Sequence, residues 1–235
     1  MRALILTGGI RHDFADNADA VAGLLADAGI APETTIDLDG GVRRLSSENF
    51  DLAVIMALRW PMDGDPKYAP YRQDWAYHMP KETAEGLRHF VSKGGGLFGL
   101  HTACLCFDDW EDWKELLGGR WVWGRSFHPP RGPVAINPTG VEHPLTAGIS
   151  GFEIEDEVFS NLDLAADVEP LLVGAADAKS KMEPLLWARP FGRGRVVFDA
   201  LGHDRSSIMH PLHRRIVQRC ALWASGAPEA KVGRI

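Results

Sequence analysis

The stretch Gly94–Ala103, GGGLFGLHTA, decides how this chain is read. Three glycines lead into Leu97-Phe98-Gly99-Leu100, and His101 follows with no polar residue between. Such a run reads as a buried strand entering a tight turn. Many α/β enzymes carry a nucleophile on that turn, in a G-x-S-x-G pattern or its cysteine equivalent. Here the frame is Gly99-Leu100-His101-Thr102-Ala103, so an imidazole takes the place of the serine or cysteine. Thr102 and Ala103 are small enough for a sharp turn, which predicts that His101 points out of the core into a cleft. On that reading its truncation costs about ±0.5 kcal/mol, the scale of a surface change. A ring at a helix N-terminus also meets the positive potential of free N–H groups, which favours its neutral form. A neutral ring serves as a base, a donor or a metal ligand.

Outward from this turn, strands and helices alternate. Ala3–Leu6 and Asp51–Leu58 are apolar runs of the buried-strand type, and Thr34–Leu38 is a short β-branched one. Asp16–Ala28 and Lys81–Val91 have helical spacing, closed by Gly29 and Gly94. Alternation of this kind means parallel pairing through right-handed crossovers. The second half changes character. Strand-like runs crowd together at Pro133–Asn137, Phe152–Phe159, Pro170–Val173, Pro184–Ala188 and Arg195–Ala200. Phe191-Gly192-Arg193-Gly194 joins the last two as a hairpin turn, and Ser206–Ala224 is a final helix. The expectation is a doubly wound α/β protein: a mainly parallel sheet, helices on both faces and an antiparallel extension in the C-terminal half. No repeat or linker divides it, so residues 1–226 form a single domain and 227–235 a frayed tail.

The bulk numbers narrow the function. A net charge of -7 over 235 residues argues against a nucleic-acid surface, which is normally basic. No apolar run reaches the ~18 residues of a membrane span, and the five-residue run near the start is too short for a signal peptide. Cys104, Cys106 and Cys220 are too few, and odd in number, for a disulfide framework. The expected compartment is the reducing cytoplasm. Cys104 and Cys106 lie past the tip of the turn in an apolar run and read as inert buried thiols.

In an open parallel sheet, ligands bind beyond the carboxyl ends of the strands. The residues there are His12 and Asp13, Arg59 and Trp60, His101, Asp156 and Glu157, and His203 with Asp204 after Gly202. Several separate strand ends thus deliver histidines, carboxylates and an arginine to one edge. The other histidines are assigned elsewhere. His78, His89 and His213 read as surface residues, and His143 and His210, each before proline, as structural. Trp110, Trp113, Trp121 and Trp123 read as packing, or as stacking faces for a sugar ring.

The motifs His12-Asp13-Phe14, GGGLFGLHTA, GRSFHP at Gly124–Pro129, HPLTAGI at His143–Ile149, FEIEDEVF at Phe152–Phe159 and GRGRVVFDALGHD at Gly192–Asp204 together resemble the ThuA-like (trehalose-utilisation) family. That family belongs to the class I glutamine-amidotransferase-like superfamily and has a flavodoxin-like sheet. The resemblance runs from about Leu4 to Trp223. It implies that His101 occupies the superfamily's nucleophile position, that His203 falls near its second catalytic position, and that His12, His128 and Glu157 have roles. Two departures stand out: the segment Ala57–Met79 has no match, and Phe159 replaces the family's usual tyrosine.

The resemblance implies an enzyme of sugar utilisation, on trehalose or a related sugar or keto-sugar. His101, Glu157 and His203 are the expected catalytic residues, with His12, Arg59, Trp60, His128, Asp156 and Asp204 binding substrate. Amidotransferase chemistry is not expected, because it needs a thiolate at the tip. The alternative is a non-catalytic sugar-binding or regulatory module. His12, His101, His128, Glu157 and His203 also offer donors for a divalent metal such as zinc, although no H-x-x-x-H or H-x-H pair fixes two on one element. The expected partner is a small carbohydrate, with no nucleic acid or membrane; a homo-oligomer is compatible with all of this.

Overall fold

Strand β3 (Leu52–Ala57) is buried along its whole length, as is β4 (Gly96–Leu100). They lie side by side in the middle of a nine-stranded sheet. The computed structural model describes residues 1–177 and 179–235. Beyond β3 lie β1 (Arg2–Gly8) and, at the edge, β2 (Ala31–Thr35). On the other side of β4 runs β11 (Gly194–Asp199). These five strands are all parallel. Their apolar continuity follows from cover on both faces. Helix α1 (Phe14–Asp27) packs with α7 (His213–Ala224), while α2 (Leu38–Ser47) packs with α4 (Lys81–Ser92). In chain order the short α3 (Arg72–Trp75) precedes α4 and α5 (Trp113–Leu117) follows it, and β5 (Gly119–Arg120) pairs with β8 (Asp163–Leu164) outside the main sheet.

The sheet then changes direction. Strands β10 (Glu183–Phe191), β9 (Pro170–Ala175), β6 (Gly132–Pro138) and β7 (Phe152–Asp156) continue it in antiparallel pairs, in that order from β11. The hairpin at Gly192, with φ +59°, joins β10 to β11 as expected. The fold is therefore the flavodoxin-like α/β class with an antiparallel extension.

Three expectations are corrected. The segment Thr34–Leu38 is not one strand: Asp37 accepts a hydrogen bond from the Gly40 N–H and starts α2 there, a cap that the β-branched pair concealed. The final helix is two helices, α6 (Arg205–Ile208) and α7, broken around Pro211, where proline cannot continue the hydrogen-bond ladder. Part of the tail is ordered as α8 (Glu229–Val232), with Val232 fully buried, and Arg219 donates to the Ile235 carbonyl at 2.7 Å.

His213 is not a surface residue. It is buried in the core, where Nε2 faces Asp199 Oδ2 at 3.0 Å and Nδ1 donates to the Ser207 carbonyl at 2.8 Å. His143 and His210 are structural as read, each accepting from the backbone N–H two residues on.

Candidate active site

The turn after β4 is the elbow the sequence predicts, with two differences. His101 has φ +47°, a left-handed conformation that a non-glycine residue adopts only under constraint. Thr102 supplies part of that constraint by donating to the Ala57 carbonyl at 2.7 Å, which ties the turn to the end of β3. Gly99 supplies another. A Cβ there would lie 2.6 Å from Leu117 and 3.2 Å from both Ala103 and Phe198. The following helix is only a 3-10 turn, His101–Leu105.

The first difference is that His101 is buried, at 2% exposure, on the floor beneath the cleft and not projecting into it. The second is the origin of its neutrality. Burial pulls its pKa well below the usual value, and the neighbouring His12 adds to that; a five-residue turn offers little helix dipole. Its tautomer is set by Nδ1, which donates to the Ala200 carbonyl at 2.7 Å, leaving the Nε2 lone pair facing the cleft.

The other residues close around that lone pair. His12, on the loop between β1 and α1, turns Nε2 to within 3.2 Å of His101 Nε2. Its ring is held near a pKa of about 4, first by burial and then by the charge of His203. Glu157 follows β7. Its Oε2 lies 3.7 Å from His101 Nε2 and 3.4 Å from His203 Nδ1, and its Oε1 lies 3.3 Å from His128 Nδ1. Burial alone would raise the Glu157 carboxyl; His203 and His128 outweigh it and hold it below the usual range. The same carboxylate raises His203 against the pull of burial. His12, His101, Glu157 and His203 each present one donor atom within 4.8 Å of every other. These four could hold a metal ion. His128 stands outside the set, on the far oxygen of Glu157.

Above the cluster opens a cavity of about 680 Å³, within the usual range for a small-molecule site. Trp60, Tyr68, Trp121, Trp123, Phe127 and Phe159 wall it. Of the four clustered tryptophans, Trp113 is core while Trp121 and Trp123 face the cleft. The segment Ala57–Met79, at the end of β3, forms part of this wall. Trp60 and Met62 bury with Ile10, Phe14 and Leu58, and Tyr68 packs edge-on to Trp60 with ring centres 5.0 Å apart. Sequence reasoning missed Tyr68; its aromatic spacing from Trp60 was the available signal.

His12, Trp60, His128, Glu157 and His203 thus line the cleft. Three other expected site residues stand behind it. Arg59 is buried, stacked 4.5 Å from the Trp75 ring, and donates to the Ile36 carbonyl. Asp156 accepts from the Gly202 N–H at 2.8 Å, from the Glu157 N–H at 2.7 Å and from the Ser207 hydroxyl. It thereby holds both Glu157 and the His203 turn. Asp204 accepts from the Ser207 N–H at the start of α6 and pairs with Arg131 at 3.0 Å. The cysteines are buried as read. Burial raises all three thiols, with Cys106 pushed up to about 12, so none offers a thiolate.

A parallel sheet with a histidine elbow under an aromatic cleft defines a flavodoxin-like α/β protein with an imidazole at the strand-to-helix turn. The family model for ThuA, trehalose utilisation, matches residues 2–224, and the chain belongs to that family. Solved structures agree on the fold. A Parabacteroides merdae protein described as ThuA-like superposes with a TM-score of 0.77 at 18% identity, over 97% of this chain and 91% of that one. A Bacteroides uniformis protein, also described as ThuA-like, gives 0.66 at 16% identity, over 96% and 91%. A cytoplasmic protein from Salmonella typhimurium LT2 gives 0.60 at 16%, over 96% and 98%. No curated protein matches the sequence. Among the described residues, no helix is long and apolar enough to cross a membrane.

Proposed function

We propose that this chain is a cytoplasmic enzyme of carbohydrate utilisation that moves protons on trehalose or a related sugar or keto-sugar. One observation carries the reading: a carboxylate, Glu157, stands among three histidines at 3.3–3.7 Å, beneath a cleft walled by aromatic rings. Aromatic faces fit the apolar C–H faces of a sugar ring. Positioned carboxylate and imidazole groups suit proton transfer beside a carbonyl or at a hydroxyl, typically worth ~10²–10⁴-fold in rate.

In this reading His101, Glu157 and His203 form the reacting centre. His12 and His128 contact the substrate from the walls, and Trp60 and Trp123 stack on it. Asp156 positions Glu157 and the His203 turn from behind, Asp204 caps the helix that follows His203, and Arg59 stays behind the wall. With all three thiols buried and protonated, cysteine-based hydrolysis has no support.

The test is a panel of disaccharides and their keto derivatives, incubated with the wild-type protein and with Glu157→Gln and followed by mass spectrometry. Turnover by the wild type that falls at least ~100-fold in the variant supports the reading. Tight sugar binding with no turnover on any member would make the chain a binding module instead.

A further inference from the structure

We propose that His12, His101, Glu157 and His203 bind one divalent transition-metal ion, with zinc as the best match, through His12 Nε2, His101 Nε2, Glu157 Oε2 and His203 Nδ1.

The histidine lone pairs converge on one point. His101 commits its Nδ1 proton to the Ala200 carbonyl at 2.7 Å, so its Nε2 is an acceptor. His12 likewise turns Nδ1 toward a backbone carbonyl, that of Ile10 at 3.5 Å, and turns Nε2 inward. A backbone carbonyl on the outer ring nitrogen is the usual support of a metal-bound histidine. His203 Nδ1 is buried with no hydrogen bond to satisfy it, and it stands 3.4 Å from Glu157 Oε2 inside the cluster.

The spacing fits as well. Zinc–nitrogen bonds are ~2.0–2.1 Å long, so adjacent ligands of a tetrahedral site stand roughly 3.3–3.4 Å apart. Three of the six pairs stand at 3.2 Å (His12 Nε2 to His101 Nε2), 3.4 Å (His203 Nδ1 to Glu157 Oε2) and 3.7 Å (His101 Nε2 to Glu157 Oε2); one donor atom from each of the four residues lies within 4.8 Å of every other, so an ion would draw the wider pairs in. Three imidazoles and one carboxylate also suit zinc or cobalt better than calcium or magnesium, which take mainly oxygen. The ligands come from four separate loops, which explains why no short spacing betrays them in the sequence.

The second oxygen of Glu157 stays outside the ligand set and faces His128 at 3.3 Å. The ion would therefore sit at the cleft floor as a Lewis acid toward a sugar carbonyl or hydroxyl. Proton movement would then pass to the Glu157–His128 edge. The ion itself stands on the ligand geometry alone and does not depend on which substrate fills the cleft.

The test uses protein produced without a histidine tag. Chelator-treated wild-type protein is titrated with Zn²⁺ by calorimetry and with Co²⁺ by visible absorption. One equivalent of each, with the visible bands of tetrahedral Co²⁺, is the expected result. His203→Gln and Glu157→Gln, checked for fold by circular dichroism, are expected to weaken Zn²⁺ by at least ~10–100-fold, while His128→Gln keeps the wild-type affinity. Less than one equivalent bound by folded wild-type protein would overturn the proposal. So would equal Zn²⁺ affinity in wild type and in a folded ligand variant, which would mean binding at surface groups such as His78. Metal uptake without sugar turnover upholds the ion and removes the sugar reading. Full turnover by protein that takes up no metal removes the ion alone.

Discussion

His101 Nδ1 donates to the carbonyl of Ala200 at 2.7 Å, and this bond joins the elbow after β4 to the end of the neighbouring strand β11. It fixes which nitrogen of the ring faces the cleft. It also makes the ring part of the buried structure, so His101 has a structural role beside the catalytic one proposed for it.

His101→Ala therefore carries both costs. The Ala200 carbonyl loses its donor in a dry site, which costs ~1–3 kcal/mol. Alanine at φ +47° keeps the backbone strain, so relief from that source is small. The expected outcome is a clear drop in melting temperature together with loss of turnover. Unchanged melting would restore the reading of a ring that merely projects into the cleft.

Trp123 separates binding from stability. It is 42% exposed, stacks on Trp60 with ring centres 5.6 Å apart, and donates to Asp108 at 2.7 Å. Trp123→Ala should leave stability within ~1 kcal/mol of wild type. Loss of its face should weaken sugar affinity by about tenfold, the equivalent of ~1.4 kcal/mol. Calorimetric titration checks this, and unaltered affinity would move the sugar to another wall.

Asp156 is expected to act through its neighbours. Asp156→Ala strands the Gly202 and Glu157 N–H groups and the Ser207 hydroxyl in a buried place. Groups left unpaired cost ~1–3 kcal/mol each before relaxation, so destabilisation of about 3 kcal/mol is expected. Asp156→Asn keeps one acceptor oxygen, enough for the Gly202 N–H and the Ser207 hydroxyl, but turns its NH2 toward the Glu157 N–H; it should recover part of the stability while lowering kcat more than it raises KM. Chemical denaturation and steady-state kinetics of the pair give the answer.

Much of this arrangement is legible in the sequence, and the reasons are physical. The parallel strands announce themselves because cover on both faces demands unbroken apolar runs such as Leu52–Ala57. The elbow is legible because Gly99 and Ala103 flank it with the small side chains that close packing against Leu117 requires. His213 was not legible. Its partner Asp199 sits on a strand 14 residues away, and nothing local marks a histidine as the buried half of an ion pair. The depth of His101 was hidden for the same reason: β11, Glu157 and Phe159 cover it, and only tertiary packing brings them there. The aromatic wall built from the segment after β3 is irregular backbone, which has no periodicity to read.

The His213–Asp199 pair gives a pH prediction. Burial lowers the His213 pKa, but the charge and hydrogen bond of Asp199, the Ser207 carbonyl and the more distant Asp156 outweigh it, and the net direction is upward. A group raised in the folded state stabilises fully below its unfolded value of ~6.5 and loses that contribution as pH climbs through the folded value. Melting temperature should therefore fall from pH 6 toward alkaline pH more steeply in the wild type than in His213→Gln. Parallel curves for the two proteins would assign the slope to other groups.

Hydrogen exchange tests the central proposal most directly. Wild-type protein and Glu157→Gln are incubated in D₂O with keto-sugars derived from trehalose and related disaccharides, and deuterium gained beside the carbonyl is followed by NMR. Proton transfer at the His/Glu cluster predicts enzyme-dependent incorporation or product formation with at least one of them, reduced ~10²–10⁴-fold in the variant. Incorporation at the same rate with wild type, with Glu157→Gln and with no protein would contradict it.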